Sequence, residues 1–531
     1  MNYSIFNDTD WLYPDSSHSR TEHIRLTVPR GGHAGVQILG EIPDAPLRLR
    51  CCWHQDEAKA GLTVSLFRLL PVGVNENTDS RLMTTTDFER CKSFVTRKAP
   101  FEVYDALLPV DEESDAPVNG RLAVYLCIDA GADAVPGNYS GELCLCEGLQ
   151  ETKIPLTCRV SPVLVPPVSS AALGMLNFFD YDGLANQHHV EKNSDEYWEL
   201  FSHYVKAQIA MRCTHILLPP GEAVFDNGKL IDFDFSMAQK AGQIARKEGA
   251  RYLCGGHIAH WHEWDEQEYY PNWNQSLGIT TTEGYLQLRL YLTKWNDIVT
   301  KNGWQPYMTQ ALADEPQTHN DATYRILAGI FRKFMPGVPI IDAVETTRLG
   351  GGIDIWVPKQ DTYEKWREEY ETLQAAGETM WFYTCAFPAG PIMNRSMDLP
   401  LTASRAVLWM GALYRLSGFL HWGFNYYIGN DIWHSACCPH KGALLPAGDA
   451  HIVYPGKNGP LRSMRFEAQR AGAEDYELLM QAVQSAPEKT DALIRKVCTS
   501  FRNYTREGSI LTEEKNNLIQ RLESEVPFND R

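Results

Sequence analysis

From about residue 166 onward, short apolar runs alternate with longer stretches of helical periodicity. No other feature constrains the fold as much. Eight runs can be placed, at 172–178, 214–219, 251–257, 305–314, 338–344, 353–358, 379–387 and 418–426. Helical spacing fills the intervals at 195–211, 236–248, 283–302, 321–335, 361–376 and 402–416; Tyr197, Leu200, Phe201, Tyr204 and Val205 are one example. A strand followed by a helix must return to the same edge of its sheet, so the next strand lies parallel to it. Eight such units predict an α/β fold of the (β/α)8, or TIM, barrel type.

The region before it reads differently. Segments 24–28, 62–68, 121–128 and 153–160 are short, often alternating, and separated by Gly, Pro, Asn and Asp. That pattern predicts a β-sandwich. Ser161-Pro162-Val163-Leu164-Val165-Pro166-Pro167 is a stiff connector. Residues 466–525 look helical and charged. The expected organisation is a β-sandwich domain at 1–165, a catalytic barrel at 166–484 and a C-terminal helical extension at 485–531.

Charge and composition narrow the partners. The net charge of -18 repels nucleic acid and anionic lipid, and no basic patch relieves it. No run of about 18 apolar residues exists to span a membrane. The opening Met1-Asn2-Tyr3-Ser4-Ile5-Phe6 lacks the basic and apolar regions of a secretion leader, so a cytoplasmic location is expected; a chain whose leader had been trimmed would read the same way. The 13 cysteines show no small-scaffold disulfide spacing, which fits reduced thiols. Neither Cys254 to Glu263 nor Cys437-Cys438-Pro439-His440 has the paired spacing of a structural zinc site. No glycine-rich dinucleotide fingerprint follows a strand. No metal or cofactor is expected. Aromatic residues make up 11%, and aromatic faces suit sugar rings, so the expected partner is a small-molecule or oligosaccharide substrate.

In barrels of this kind chemistry sits where strands end. Run four ends in Ala311-Leu312-Ala313-Asp314-Glu315-Pro316. Two adjacent acids after an apolar strand are costly unless paired or used. Their side chains diverge from one backbone corner, so they cannot face each other across a sugar. That geometry suits a route in which the sugar's own 2-acetamido oxygen attacks. One carboxylate then orients the acetamido N–H and the other protonates the leaving group. The same Asp-Glu-Pro pattern also caps helix N-termini.

Other strand ends supply a frame. Trp381 and Tyr383 share one face by the two-residue period, the first to pack beneath a ring and the second to donate to an acetamido carbonyl. Trp422 is a candidate sugar platform and Asn425 a hydroxyl partner; Trp356 and His257 complete the set. Each of these residue types also serves as barrel core.

Ala313-Asp314-Glu315-Pro316 joins Gly418 to Tyr426, Gly448 to Lys457, Arg465 to Arg470 and Glu474-Asp475-Tyr476-Glu477 in one pattern. Together these segments resemble glycoside hydrolase family 123 and its wider set of relatives, over roughly 165–485. The resemblance implies an exo-acting N-acetyl-β-galactosaminidase that retains configuration through an oxazoline. It makes Asp314 the stabiliser of the oxazolinium and Glu315 the general acid and base. Burial and the Asp314 charge are expected to raise the pKa of Glu315. Two alternatives stand beside it. One is a retaining β-glycosidase for sugars without the acetamido group, with Asp354 or Glu345 as nucleophile. The other is a non-catalytic carbohydrate-binding barrel.

Overall fold

A computed structural model describes residues 2–17, 22–41, 47–55, 60–110, 113–114, 121–147, 150–429 and 431–525. The last part of the expected C-terminal extension, 526–531, lies outside the described residues. The chain divides into two compact units. One comprises Met1–Ala172, Ala386–Arg415 and Asn425–Arg531; the other comprises Leu173–Cys385 and Leu416–Phe424.

The second unit is an α/β fold whose eight principal parallel strands fall on the eight apolar runs. They are β1 (Gly174–Asn177), β2 (His215–Leu218), β3 (Tyr252–Gly255), β4 (Met308–Gln310), β5 (Ile341–Val344), β6 (Ile355–Pro358), β7 (Phe382–Thr384) and β8 (Gly418–His421). One six-stranded sheet has the order β4-β3-β2-β1-β8-β7. β5 and β6 pair in a second sheet, completed by Thr379–Met380. Single parallel bridges, Gln310 to Ile340 and Lys359 to Tyr383, join strand ends of the two sheets. Leu176, Cys254, Ala311, Ile341, Ala343, Val357, Trp381, Tyr383 and Leu420 form one apolar cluster among these strands. Helices Asp195–Ala210 and Thr282–Lys301 begin where Ser194 and Thr281 accept from the amides of Tyr197 and Gly284.

Run four departs from its expected length. β4 stops at Gln310, and Ala311 to Ala313 leave the regular ladder. The Leu312 amide is bonded by the buried Asp342 carboxylate at 2.9 Å, and its carbonyl takes the amides of Ile258 and Ala259, both at 3.0 Å. Side-chain and loop partners thus replace a neighbouring strand. The acid pair hangs from this braced segment.

In the first unit the period-two pattern is used on both faces of one sheet. That sheet has the order Asn2–Asn7, His33–Glu41, Arg121–Ala130, Leu62–Val74, Phe101–Pro109. Leu122, Val124, Leu126 and Ile128 share an apolar cluster with Leu143, Leu145, Ile154, Leu156 and Val160 of the other five-stranded sheet. Ala123, Tyr125 and Cys127, on the opposite face, pack with Met464 and Ala468. The last two open the helix Met464–Ser485, which is buried on nearly every side. Its charges are paired inside the unit rather than solvated. Arg465 bonds Asp105 at 2.8 Å, Asp475 accepts from Arg405 at 2.6 Å, and Glu474 bonds His33 at 2.8 Å. The charge-rich pattern at 466–485 is therefore interior.

Candidate active site

Glu315 has a left-handed backbone, φ 43°, which is uncommon for a residue other than glycine. The turn sends its carboxyl inward while Asp314 stays exposed. Glu315 Oε1 meets the Tyr383 hydroxyl at the end of β7. The same hydroxyl lies 3.2 Å from Glu345 Oε1, just past β5. Glu345 in turn accepts from Lys359 Nζ and from the Thr362 hydroxyl, both just past β6. Three strand ends thus converge on Glu315.

Burial pushes the Glu315 carboxyl up to about 7, and the neighbouring Asp314 carboxylate adds to it. The Tyr383 hydrogen bond pulls the other way, Glu345 raises again, and Lys359 lowers. A carboxyl near 7 is protonated often enough at neutral pH to act as an acid and, once ionised, as a base. Burial also holds Tyr383 well above its ordinary value, so it keeps its proton.

The Asp314 side is framed by a different set. Its carbonyl accepts from the indole N–H of Trp261 at 2.9 Å. Ala313 is bridged to Ala259, tying the segment after β3 to the segment after β4. His257 lies there, with Nε2 3.2 Å from Asp342 Oδ1, close enough for an ion pair though off the line of a hydrogen bond. Burial works against charge on His257, but Asp342 and Asp314 outweigh it and raise its pKa. Asp342 also accepts from the Tyr324 hydroxyl at 2.6 Å. A cavity of about 310 Å³ opens beside His257, lined also by Phe225, Trp273 and Tyr291.

The aromatic frame divides. Tyr383 is in contact with the acid, and Trp422 is half-buried just after β8, offset-stacked on His421. Trp381 is elsewhere. It packs over Gly174 and Gly418, the first residues of β1 and β8, and edge-on to His215 at the start of β2. It therefore fills the N-terminal ends of the strands, opposite the acid pair. Trp356 is fully buried, donates to Glu378 at 3.0 Å and packs against Tyr370 of a flanking helix. Both tryptophans belong to the core rather than to a sugar site. Asn425 is buried in the first unit and bridged to His451. Asp354, one of the two acids considered as a nucleophile, is held by both of its oxygens on Arg332 at 2.9 Å and by the Ile340 amide.

Lys359 and Thr362 escaped the sequence reading. The signal for Lys359 was present, because it directly follows the apolar run Ile355-Trp356-Val357-Pro358 at a strand's C-terminal end. Among the described residues no group of three His, Cys, Asp or Glu side chains is placed to hold a metal ion. Among the same residues no helix is long and apolar enough to cross a membrane.

The catalytic-domain model of glycoside hydrolase family 123 matches residues 223–482. In structure, the chain is similar to a family 123 glycoside hydrolase from Clostridium perfringens described for glycolipid glycan hydrolysis. That likeness has a TM-score of 0.75 and 12% identity, covers 98% of this chain and 99% of the other, and shows the shared fold. A β-glucuronidase from Parabacteroides merdae aligns with TM-score 0.32 and 10% identity, over 84% of this chain and 50% of its own. A β-galactosidase from Marinomonas ef1 aligns with TM-score 0.38 and 8% identity, over 60% of this chain and 62% of its own. Likenesses that distant carry no weight here. No curated protein matches the chain in sequence.

Proposed function

The chain belongs to glycoside hydrolase family 123 through residues 223–482, and we propose that it is an exo-acting, retaining β-N-acetylgalactosaminidase working by substrate assistance. In this reading the acetamido oxygen of the sugar attacks its own anomeric carbon. Asp314 accepts the acetamido N–H and stabilises the oxazolinium. Glu315 protonates the departing oxygen and then takes a proton from the water that opens the ring. Tyr383 holds the Glu315 carboxyl, and Trp422 and His257 flank the sugar. In this reading the acid pair belongs to a (β/α)8 barrel, which the Gln310–Ile340 and Lys359–Tyr383 bridges support, and the two five-stranded sheets make up a separate β-sandwich domain.

One observation carries the reading. Glu315 is a buried acid raised to about 7 with a second acid next to it in the chain, while the nearest acid on another strand end is already occupied. Glu345 is that acid. It favours the second reading, a retaining β-glycosidase without an acetamido requirement, because it and Glu315 meet at one hydroxyl. Yet a nucleophile needs a free oxygen, and Lys359, Thr362 and Tyr383 all press donors on Glu345.

Paired nitrophenyl β-galactosides, with and without the 2-acetamido group, test this. Turnover of the acetamido sugar alone, blocked by a thiazoline mimic of the oxazoline, is expected. Equal turnover of the 2-hydroxy sugar would overturn it. Glycolipid glycans are the natural polymers to try next.

A further inference from the structure

The hydroxyl of Tyr383 carries one hydrogen but stands between two carboxylates, Glu315 and Glu345. It can donate to only one of them at a time. The other must either carry a proton of its own or face the phenol oxygen unsatisfied, which is costly in a buried place. The two acids are not equivalent. Glu345 has the ammonium of Lys359 on one oxygen and the Thr362 hydroxyl on the other. Lys359 is itself buried, and Glu345 and Asp361 outweigh that burial to raise its pKa and keep it charged. Among the described residues no cation lies against Glu315; its near neighbours are Asp314, Tyr383 and Glu345, with Lys359 one group further off. Cys385 is the remaining titratable group that faces Tyr383 and Lys359.

We propose that Glu345, fixed by Lys359 and Thr362, is a positioning residue that aims the Tyr383 hydroxyl and thereby keeps the acid proton on Glu315. With Glu315 protonated, hydrogen bonds run one way: Glu315 O–H donates to the phenol oxygen, and the phenol O–H donates to Glu345. Once Glu315 has given its proton to a leaving group, the phenol hydrogen turns toward Glu315 and holds the new carboxylate. No proton is gained or lost by Tyr383 or Glu345; the phenol only rotates. Glu315 regains its proton from the water that opens the oxazoline, and the phenol hydrogen then turns back toward Glu345. This inference rests on Glu315 being the general acid proposed above, and it assigns Glu345 a role other than nucleophile.

The test reads Glu315 directly, without turnover. A pH-difference infrared titration follows the C=O stretch of protonated carboxyls, and the band missing from Glu315→Gln belongs to Glu315. In the wild type its midpoint is expected near 7. Glu345→Gln removes a like charge and should lower that midpoint by about 1 pH unit, while Lys359→Met removes the cation and should raise it. Opposite shifts are not what a merely structural role produces. If Lys359→Met fails to fold, Glu345→Gln and Tyr383→Phe still decide. Tyr383→Phe removes the shared hydroxyl and should move the midpoint as well. A Glu315 midpoint that is the same in wild type, Glu345→Gln and Tyr383→Phe overturns the proposal. So does a covalent sugar adduct on Glu345. The sugar panel answers separately whether the enzyme needs an acetamido group.

Discussion

Two buried glutamates, one in each unit, are driven in opposite directions. Glu474, inside the helix Met464–Ser485, is held far below its ordinary range. Burial opposes this, but His33 at 2.8 Å, Arg470 at 3.4 Å and the Lys515 charge outweigh it. Glu315 is partly exposed as a residue, yet burial of its carboxyl and the neighbouring Asp314 carboxylate raise it to about 7 against the pull of the Tyr383 hydrogen bond. Burying a carboxyl is costly in both places. In the first unit cations offset that cost and the result is a fixed strut. In the second it is left standing and the result is an acid that works at neutral pH.

The largest expected effect breaks the comparison on the Glu315 side. Glu315→Gln should lower kcat on an unactivated acetamido sugar by about 10²- to 10⁴-fold, the usual worth of a general acid, with the loss read from steady-state rates. On the Glu474 side, Glu474→Gln removes the buried carboxylate that meets His33 and Arg470 and should cost about 3–5 kcal/mol at pH 7 in denaturant unfolding. Since the folded pKa of Glu474 lies below its ordinary 4.5, its contribution is complete above that pH and fades as pH falls through the folded value. The gap between variant and wild type should therefore narrow in acid.

Glu315 has the reverse sign. Its folded pKa of about 7 exceeds the ordinary 4.5, so the folded chain keeps a proton that the unfolded chain sheds. Stability falls as pH climbs from 4.5 through 7. Glu315→Gln should be about 1–3 kcal/mol more stable than wild type at pH 8 and equal to it at pH 4, since one pKa unit is worth about 1.4 kcal/mol and the residue is partly exposed. A variant that is less active and more stable would mark the site as tuned against the fold. The smallest effect is at Trp356. Replacing it with Phe removes the bond to Glu378 and should cost about 1 kcal/mol with KM unchanged, because the indole belongs to the core.

How much of this the sequence disclosed follows from the range of each signal. The eight strands were legible because periodicity is local, and the acid pair because it interrupts an apolar run. The raised pKa of Glu315 was foreseeable from burial at a strand end and the adjacent Asp314. Trp381 was misplaced because a two-residue period tells which face a side chain takes but not at which end of the strand it lies. Glu345 and Lys359 meet across the segments after β5 and β6, 14 residues apart, and only tertiary packing brings them to Tyr383. The partners of Glu474 and Asp475 were not legible, because a helix's polar residues reveal nothing about the Arg405 and His33 that meet them.

The left-handed turn at Glu315 bears on how such a chain can lose its chemistry. Glycine adopts that backbone freely, whereas alanine and above all valine resist it. Genetic drift at this codon therefore has an easy exit, one in which the acid vanishes and the turn relaxes. Among small replacements at 315, the unfolding temperature should rank glycine above alanine and alanine above valine. Relatives that have become mere sugar binders would then be sought among chains with a glycine here and an undisturbed core.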